Sequence, residues 1–209
     1  MNLQRKNCHH QVLVTGTGRS GTTALMQLFT KLGLDTGYTE EDIFNTDTVS
    51  QAGLEDAMLF KDRPYILKTP WLMYTIENVL RSGIVIDCAI IPIRDIAQVE
   101  ASRRRVYQHH LSNGHKKPET APGSVMPQEG HSSQRSALAL RQHHLLRCLA
   151  EHEVPVLFVS FPRFVTDWAH CYRSLKPVFD GFGCDEHSVQ QAHQAVLNPE
   201  LVHNFNKEK

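Results

Sequence analysis

A short apolar run, Val12-Leu13-Val14, enters a turn that carries Gly16, Gly18 and Gly21, and a helical pattern follows with Leu25, Leu28 and Phe29 on one face. Strand, glycine-rich turn and helix N-terminus in that order constrain this chain more than any other stretch. Backbone N–H groups converge at such a turn, and the helix dipole adds roughly half a positive charge there. An anion site over Gly16–Thr23 is the expectation. An ordinary glycine turn is the plainer reading, and the order of the three parts argues against it.

Three chemistries fit such a loop, and its other residues separate them. Gly16, Gly18 and Gly21 match the dinucleotide spacing GxGxxG, with Asp35 near the distance of a ribose-binding acid. Asp35, however, follows Leu32-Gly33-Leu34, with no second strand to carry it to a strand tip. Gly16 to Thr23 also has the spacing of the nucleotide-kinase loop GxxxxGK[ST], but Thr22 stands where the phosphate-binding lysine belongs. In the third reading the positive charge sits inside the loop, as Arg19.

Arg19-Ser20-Gly21-Thr22-Thr23 resembles the 5′-phosphosulfate loop of sulfotransferases that use 3′-phosphoadenosine 5′-phosphosulfate (PAPS). A second motif joins it in Ala89–Ser102, AIIPIRDIAQVEAS, an apolar strand followed by Arg94 and, eight residues on, Ser102. In that family an arginine at a strand end and a serine eight residues later hold the cofactor's 3′-phosphate. The resemblance thus implies that Gly18, Arg19, Ser20, Gly21, Thr22 and Thr23 bind the 5′-phosphosulfate, and that Arg94 and Ser102 bind the 3′-phosphate. It also implies a three-layer, P-loop NTPase-like α/β fold with PAPS as donor, 3′-phosphoadenosine 5′-phosphate as product and no metal. The plain alternative for Arg94 is a surface ion pair; its forked guanidinium suits phosphate better.

Sulfuryl transfer requires cations on the leaving phosphate and a base on the acceptor. Arg19 is the first cation. Lys68 is the second, in Leu67-Lys68-Thr69-Pro70, which resembles the Lys-[Ser/Thr]-Pro element of glycan sulfotransferases. Protein-tyrosine sulfotransferases also begin their loop Arg-Ser-Gly-Thr-Thr, and extending that similarity without gaps sets their catalytic glutamate against Glu40. Glu41 is the near-equal alternative, and adjacent acids of this kind are more often a helix N-terminal charge pair. No histidine follows Lys68, where cytosolic branches carry theirs. The tail also lacks the basic, glycine-containing loop that covers the 3′-phosphate in those branches, and Arg103, Arg104 and Arg105 are the candidate substitutes.

Alternating apolar runs and helical patterns predict strands over 11–15, 65–68, 84–93 and 154–161. Helices are predicted over 22–32, 73–81, 96–109, 133–151, 164–179 and 186–197. That alternation implies a parallel sheet with helices on both faces and ligand loops at the strands' C-terminal ends. The 209 residues suffice for one α/β domain, and 112–132, rich in Gly, Pro, His and Lys, reads as a mobile loop within it. Lysines and arginines balance acids at 22 each, so neither nucleic acid nor a membrane surface is an expected partner. Five scattered cysteines without CxxC spacing and the absence of a signal-peptide core point to reduced thiols and a cytoplasmic protein. Thirteen histidines include the adjacent pairs His9-His10, His109-His110 and His143-His144, whose side chains diverge, so no metal is expected.

Two other readings stay open. A P-loop kinase or NTPase would use Asp87, at the end of Ile84-Val85-Ile86-Asp87, to hold Mg²⁺, and a non-catalytic nucleotide-binding protein would need no base at all. The acceptor, whether small molecule, glycan or peptide, has no recognisable code in the sequence, and the oligomeric state has none either.

Overall fold

The computed structural model describes residues 10–47, 49–55, 63–121, 123–125 and 133–202. Four strands, β1 (His10–Val14), β2 (Ile66–Lys68), β3 (Val85–Ile93) and β4 (Val156–Ser160), form one parallel sheet in the order β2-β1-β3-β4. Seven α-helices lie among the described residues: α1 (Thr22–Lys31), α2 (Leu72–Arg81), α3 (Ile96–Ser112), α4 (Gln134–Glu151), α5 (Arg163–Thr166), α6 (Trp168–Phe182) and α7 (Glu186–Val196).

Alternation along the strands builds two cores. Val12 and Val14 of β1 and Cys88 and Ile90 of β3 join residues of α1, α6 and α7, such as Phe29, Phe179 and Val189. Leu13 and Leu67 point the other way, onto Met73 and Ile76 of α2, Val99 of α3 and Leu145 of α4. Both sheet faces are covered, which is why the central strands are continuous apolar runs. No helix among the described residues is long and apolar enough to cross a membrane.

Strand order reverses between β1 and β3, since the chain runs from β1 outward to β2 and then returns to place β3 on β1's other side. Loops leaving neighbouring strands at such a point diverge and open a crevice at the C-terminal ends of the strands. The loops concerned are Thr15–Gly21 after β1 and Arg94–Asp95 after β3.

The elements depart from expectation in two places. The helix expected over 164–179 is broken at Asp167, whose carboxylate accepts from the His170 amide at 2.9 Å and so starts α6 as a new helix. α3 runs on to Ser112, and part of the loop expected beyond it, at Pro118–Thr120, is a 3₁₀ turn. Residues 122 and 126–132 of that expected mobile loop lie outside the described residues.

Candidate functional site

The loop after β1 folds back on itself through left-handed residues: Gly16, Gly18 and Gly21 have φ of 129°, 64° and 93°, and Arg19 itself sits at 53°. Gly21 is the residue before α1, and it offers no side-chain cap. Asp95, Ser133, Asp167 and Asp185 cap α3, α4, α6 and α7 with side-chain oxygens, whereas α1 has neither such a cap nor an acid in its first turn. Its N-terminal amides thus have no capping side chain and its dipole no acid in the first turn, which is also true of α2 and α5. Ser20 is fully buried, and its Oγ has no partner among the described residues.

Gly21 is fixed by space as well as by φ. A Cβ there would stand 2.5 Å from a ring carbon of Phe161 and 2.9 Å from the Phe164 ring, whereas one at Gly33 (φ 72°) would meet nothing within 4 Å. Gly21→Ala is therefore expected to cost about 3 kcal/mol, from backbone strain plus overpacking. Thermal unfolding should fall by roughly 6–12 °C. Gly33→Ala should lose only the conformational part, about 1 kcal/mol.

Arg19 is the hub of the site. Its Nε donates to Ser102 Oγ at 3.0 Å, and its Nη1 donates to the Ser50 carbonyl. Arg94, in the loop between β3 and α3, donates from Nη1 to the Arg19 carbonyl at 2.9 Å and lies over the Phe161 ring, 4.9 Å from its centroid. Segments 75 and 83 residues apart in sequence therefore meet at one loop. Arg19 makes no ion pair with a carboxylate among the described residues. Burial first, then the charges of Arg103 and Arg94, lower its pKa to about 10. Burial also lowers that of Arg94.

Two cavities flank this loop and share Arg19, Thr22 and Thr23. The larger, about 300 Å³, is also lined by Arg94 and Ser102 and by apolar Phe161, Val196, Leu197 and Leu201. No carboxylate among the described residues lines it. The smaller, about 220 Å³, is bounded by Lys68, Glu55, Trp71, Tyr74 and Arg103, and by part of the segment 119–125.

Lys68 ends β2 and is only 2 % exposed. Its Nζ donates to Thr23 Oγ1 at 2.8 Å and to the Gly53 carbonyl at 2.5 Å, and pairs with Glu55 Oε1 at 3.2 Å. Burial lowers its pKa to about 8; Glu55 opposes that shift and the Arg19 charge adds to it. The ammonium is thus tied to the same helix N-terminus that the glycine loop presents.

Glu40 is absent from both cavity walls. It sits on the surface, its side chain 66 % exposed, in an ion pair with Lys31 at 2.6 Å, and Glu41 is also exposed. The acid beside Lys68 is Glu55, which no motif marks: it follows Leu54 in a stretch without secondary structure, and only folding brings it to the end of β2. The arginine triplet also divides differently from expectation. Arg103 faces the smaller cavity, Arg104 pairs with Glu100 at 3.0 Å, and Arg105 is exposed, so none of them lines the larger one. The larger cavity is closed instead by the C-terminal segment 196–202.

Asp87 is the third residue of β3, at the strand end opposite the glycine loop, so it lies roughly 23 Å along the strand from Arg94. It accepts from Tyr65 Oη at 2.6 Å and contacts His10 Nδ1 at 2.9 Å, which makes it a structural anchor. Cys88, Cys148, Cys171 and Cys184 are free thiols. Glu77, His144 and Cys148 cluster between α2 and α4, yet Arg81 holds Glu77 at 2.9 Å and Arg147 lies 3.4 Å from the His144 ring. Two guanidinium groups make that a charge network on the helix surface. No protein-family model, curated protein or solved structure matches the chain.

Proposed function

We propose that the chain is a sulfotransferase that moves a sulfuryl group from PAPS to a hydroxyl acceptor, with the donor in the larger cavity and the acceptor in the smaller. One observation carries the reading: Arg94 and Ser102 both bond to Arg19, a cation of the glycine loop that makes no ion pair with a carboxylate among the described residues. The residues suit the donor's parts. The α1 N-terminus and Arg19 offer donors to the 5′-phosphosulfate, whereas Ser20 is fully buried and lines neither cavity. Arg94 and Ser102 suit the 3′-phosphate, and Phe161, Leu197 and Leu201 give an apolar wall for a base.

The shared wall of Arg19, Thr22 and Thr23 is where the two substrates would meet in line. The acceptor oxygen forms a bond to sulfur while the sulfur–oxygen bond to the phosphate breaks, its electron pair leaving on the phosphate oxygen and the acceptor proton passing to Glu55. Lys68 and Arg19 neutralise the charge that grows on that phosphate. Lys68 also orients Glu55, which it holds at 3.2 Å.

A Mg²⁺-dependent kinase reading has less support, because no carboxylate among the described residues lines the larger cavity and Asp87 stands at the wrong end of β3. Transfer of label from radiolabelled PAPS to a panel of hydroxyl acceptors tests the proposal, and a panel without any labelled product, in a chain that binds the donor, contradicts catalysis. Glu55→Gln is expected to slow transfer about 100-fold with donor affinity unchanged. Glu40→Gln should leave the rate within about 2-fold, as expected of a surface ion pair. The reverse pattern would return the base to Glu40.

A further inference from the structure

Two residues on the wall of the smaller cavity, Arg103 and Tyr74, each carry a buried polar atom without a partner among the described residues. Arg103 is 8 % exposed, and its guanidinium donates to two carbonyls, Ser124 O at 2.6 Å and Thr17 O. Its Nε has no partner among the described residues, and neither has the Tyr74 hydroxyl; both residues line this cavity. Arg103 forms no ion pair among the described residues; of the two carboxylates that line this cavity, Glu55 is bound by Lys68 at 3.2 Å and Glu119 is exposed to solvent. A guanidinium withdrawn from water with only carbonyl partners is a costly arrangement, and an anion opposite it removes the cost. An N–H donor and a phenolic O–H on one wall also suit the same kind of group, a carboxylate or similar oxyanion.

Size and shape limit what carries that group. A cavity of about 150 Å³ admits benzene, and this one, at about 220 Å³, has room for one six-membered ring with substituents. Trp71, 56 % exposed, and Tyr74, their ring centroids 6.2 Å apart, provide an apolar platform at its wall. We propose that the acceptor is a single hydroxyl-bearing ring that also carries an anionic substituent, with Arg103 and Tyr74 holding the anion while the hydroxyl faces Lys68 and Glu55. This rests on the transfer reading for the role of the hydroxyl, though the pocket's preference for an anionic ring is independently measurable. An aromatic hydroxyacid and a uronic acid share this chemistry.

The test uses two matched pairs, 4-hydroxybenzoate with its methyl ester and glucuronate with its methyl ester. Dissociation constants are measured by calorimetry with and without 3′-phosphoadenosine 5′-phosphate, and transfer from radiolabelled PAPS is followed in parallel. At least one acid is expected to bind and react about 30-fold better than its ester, and whichever pair responds identifies the ring. Arg103→Met should erase that preference while leaving affinity for the adenosine bisphosphate within about 2-fold, since Arg103 is not in the larger cavity. Tyr74→Phe removes only a hydroxyl that has no partner among the described residues and should cost the acid about 5-fold. Equal use of acid and ester, or an Arg103→Met defect shared by esters and the bisphosphate, overturns the proposal and leaves the donor reading standing. Failure of the bisphosphate to bind, with the acid still binding through Arg103, overturns the donor reading and upholds the anionic-ring pocket.

Discussion

Replacing Arg19 by alanine is expected to weaken binding of 3′-phosphoadenosine 5′-phosphate by about 100-fold, which corresponds to about 2.7 kcal/mol of charge-assisted hydrogen bonding. The same change should slow transfer by a further 10²- to 10³-fold or so, because the guanidinium lines both cavities, where the proposed transfer would build charge on the leaving group. Its effect on the free protein should be small. Arg19 gives up bonds to Ser102 and Ser50 in the variant, but a buried cation crowded by Arg103 and Arg94 also disappears. These terms oppose one another, so thermal unfolding should move by less than about 3 °C. A stable fold with a ruined donor site distinguishes a ligand-binding arginine from a structural one. Unchanged affinity in the variant would mean that the loop does not bind the donor.

Lys68 is expected to set an alkaline limit on activity. Only its ammonium form can neutralise the leaving phosphate, and burial has brought its pKa down to about 8. For a group whose charged form is the protonated one, function is present below the pKa and lost above it. The kcat/KM profile should therefore fall through a limb near pH 8, while the kcat limb lies higher, since the bound donor's negative charge favours the ammonium. Arg19→Ala should raise the kcat/KM limb too, because the Arg19 charge helps to depress Lys68. Lys68→Met should lower kcat by about 10³-fold, with a much smaller change in donor affinity, as expected for an interaction that strengthens in the transition state. Lys68→Arg should remove the limb, since a guanidinium does not titrate near that pH. A limb that persists in Lys68→Arg would assign it to another group.

The fold was largely legible because its strands are apolar runs and its helices are periodic. Each strand lies within two residues of its expected ends, and the break at Asp167 was missed because an N-cap aspartate also fits mid-helix spacing on the polar face. Legibility of the site follows sequence distance and motif length. Gly18–Thr23, Arg94 and Ser102 are contiguous or fixed by helical spacing, so they stood out and the structure gathers them at one loop. Glu55 did not, because its position beside Lys68 depends on the path of a chain segment without periodic pattern. Glu40 looked eligible because ungapped spacing ignores how the chain turns after α1, where Lys31 captures it. Arg103, expected as a candidate cover for a 3′-phosphate, lines a different cavity from Ser102 for a rotational reason. Ser102 and Arg103 are adjacent on α3, and neighbouring helical residues point about 100° apart, one toward each side of the glycine loop.

The central claim is that the glycine loop, Arg94 and Ser102 together recognise a 3′-phosphorylated adenosine donor without a divalent metal. Calorimetric titration of the chain with 3′-phosphoadenosine 5′-phosphate and, separately, with ATP and Mg²⁺ tests it most directly. The account predicts saturable binding of the bisphosphate in the presence of a chelator, lost in Arg19→Ala and weakened in Ser102→Ala. Mg²⁺-dependent binding of ATP, with no heat from the 3′-phosphorylated nucleotide, would contradict it.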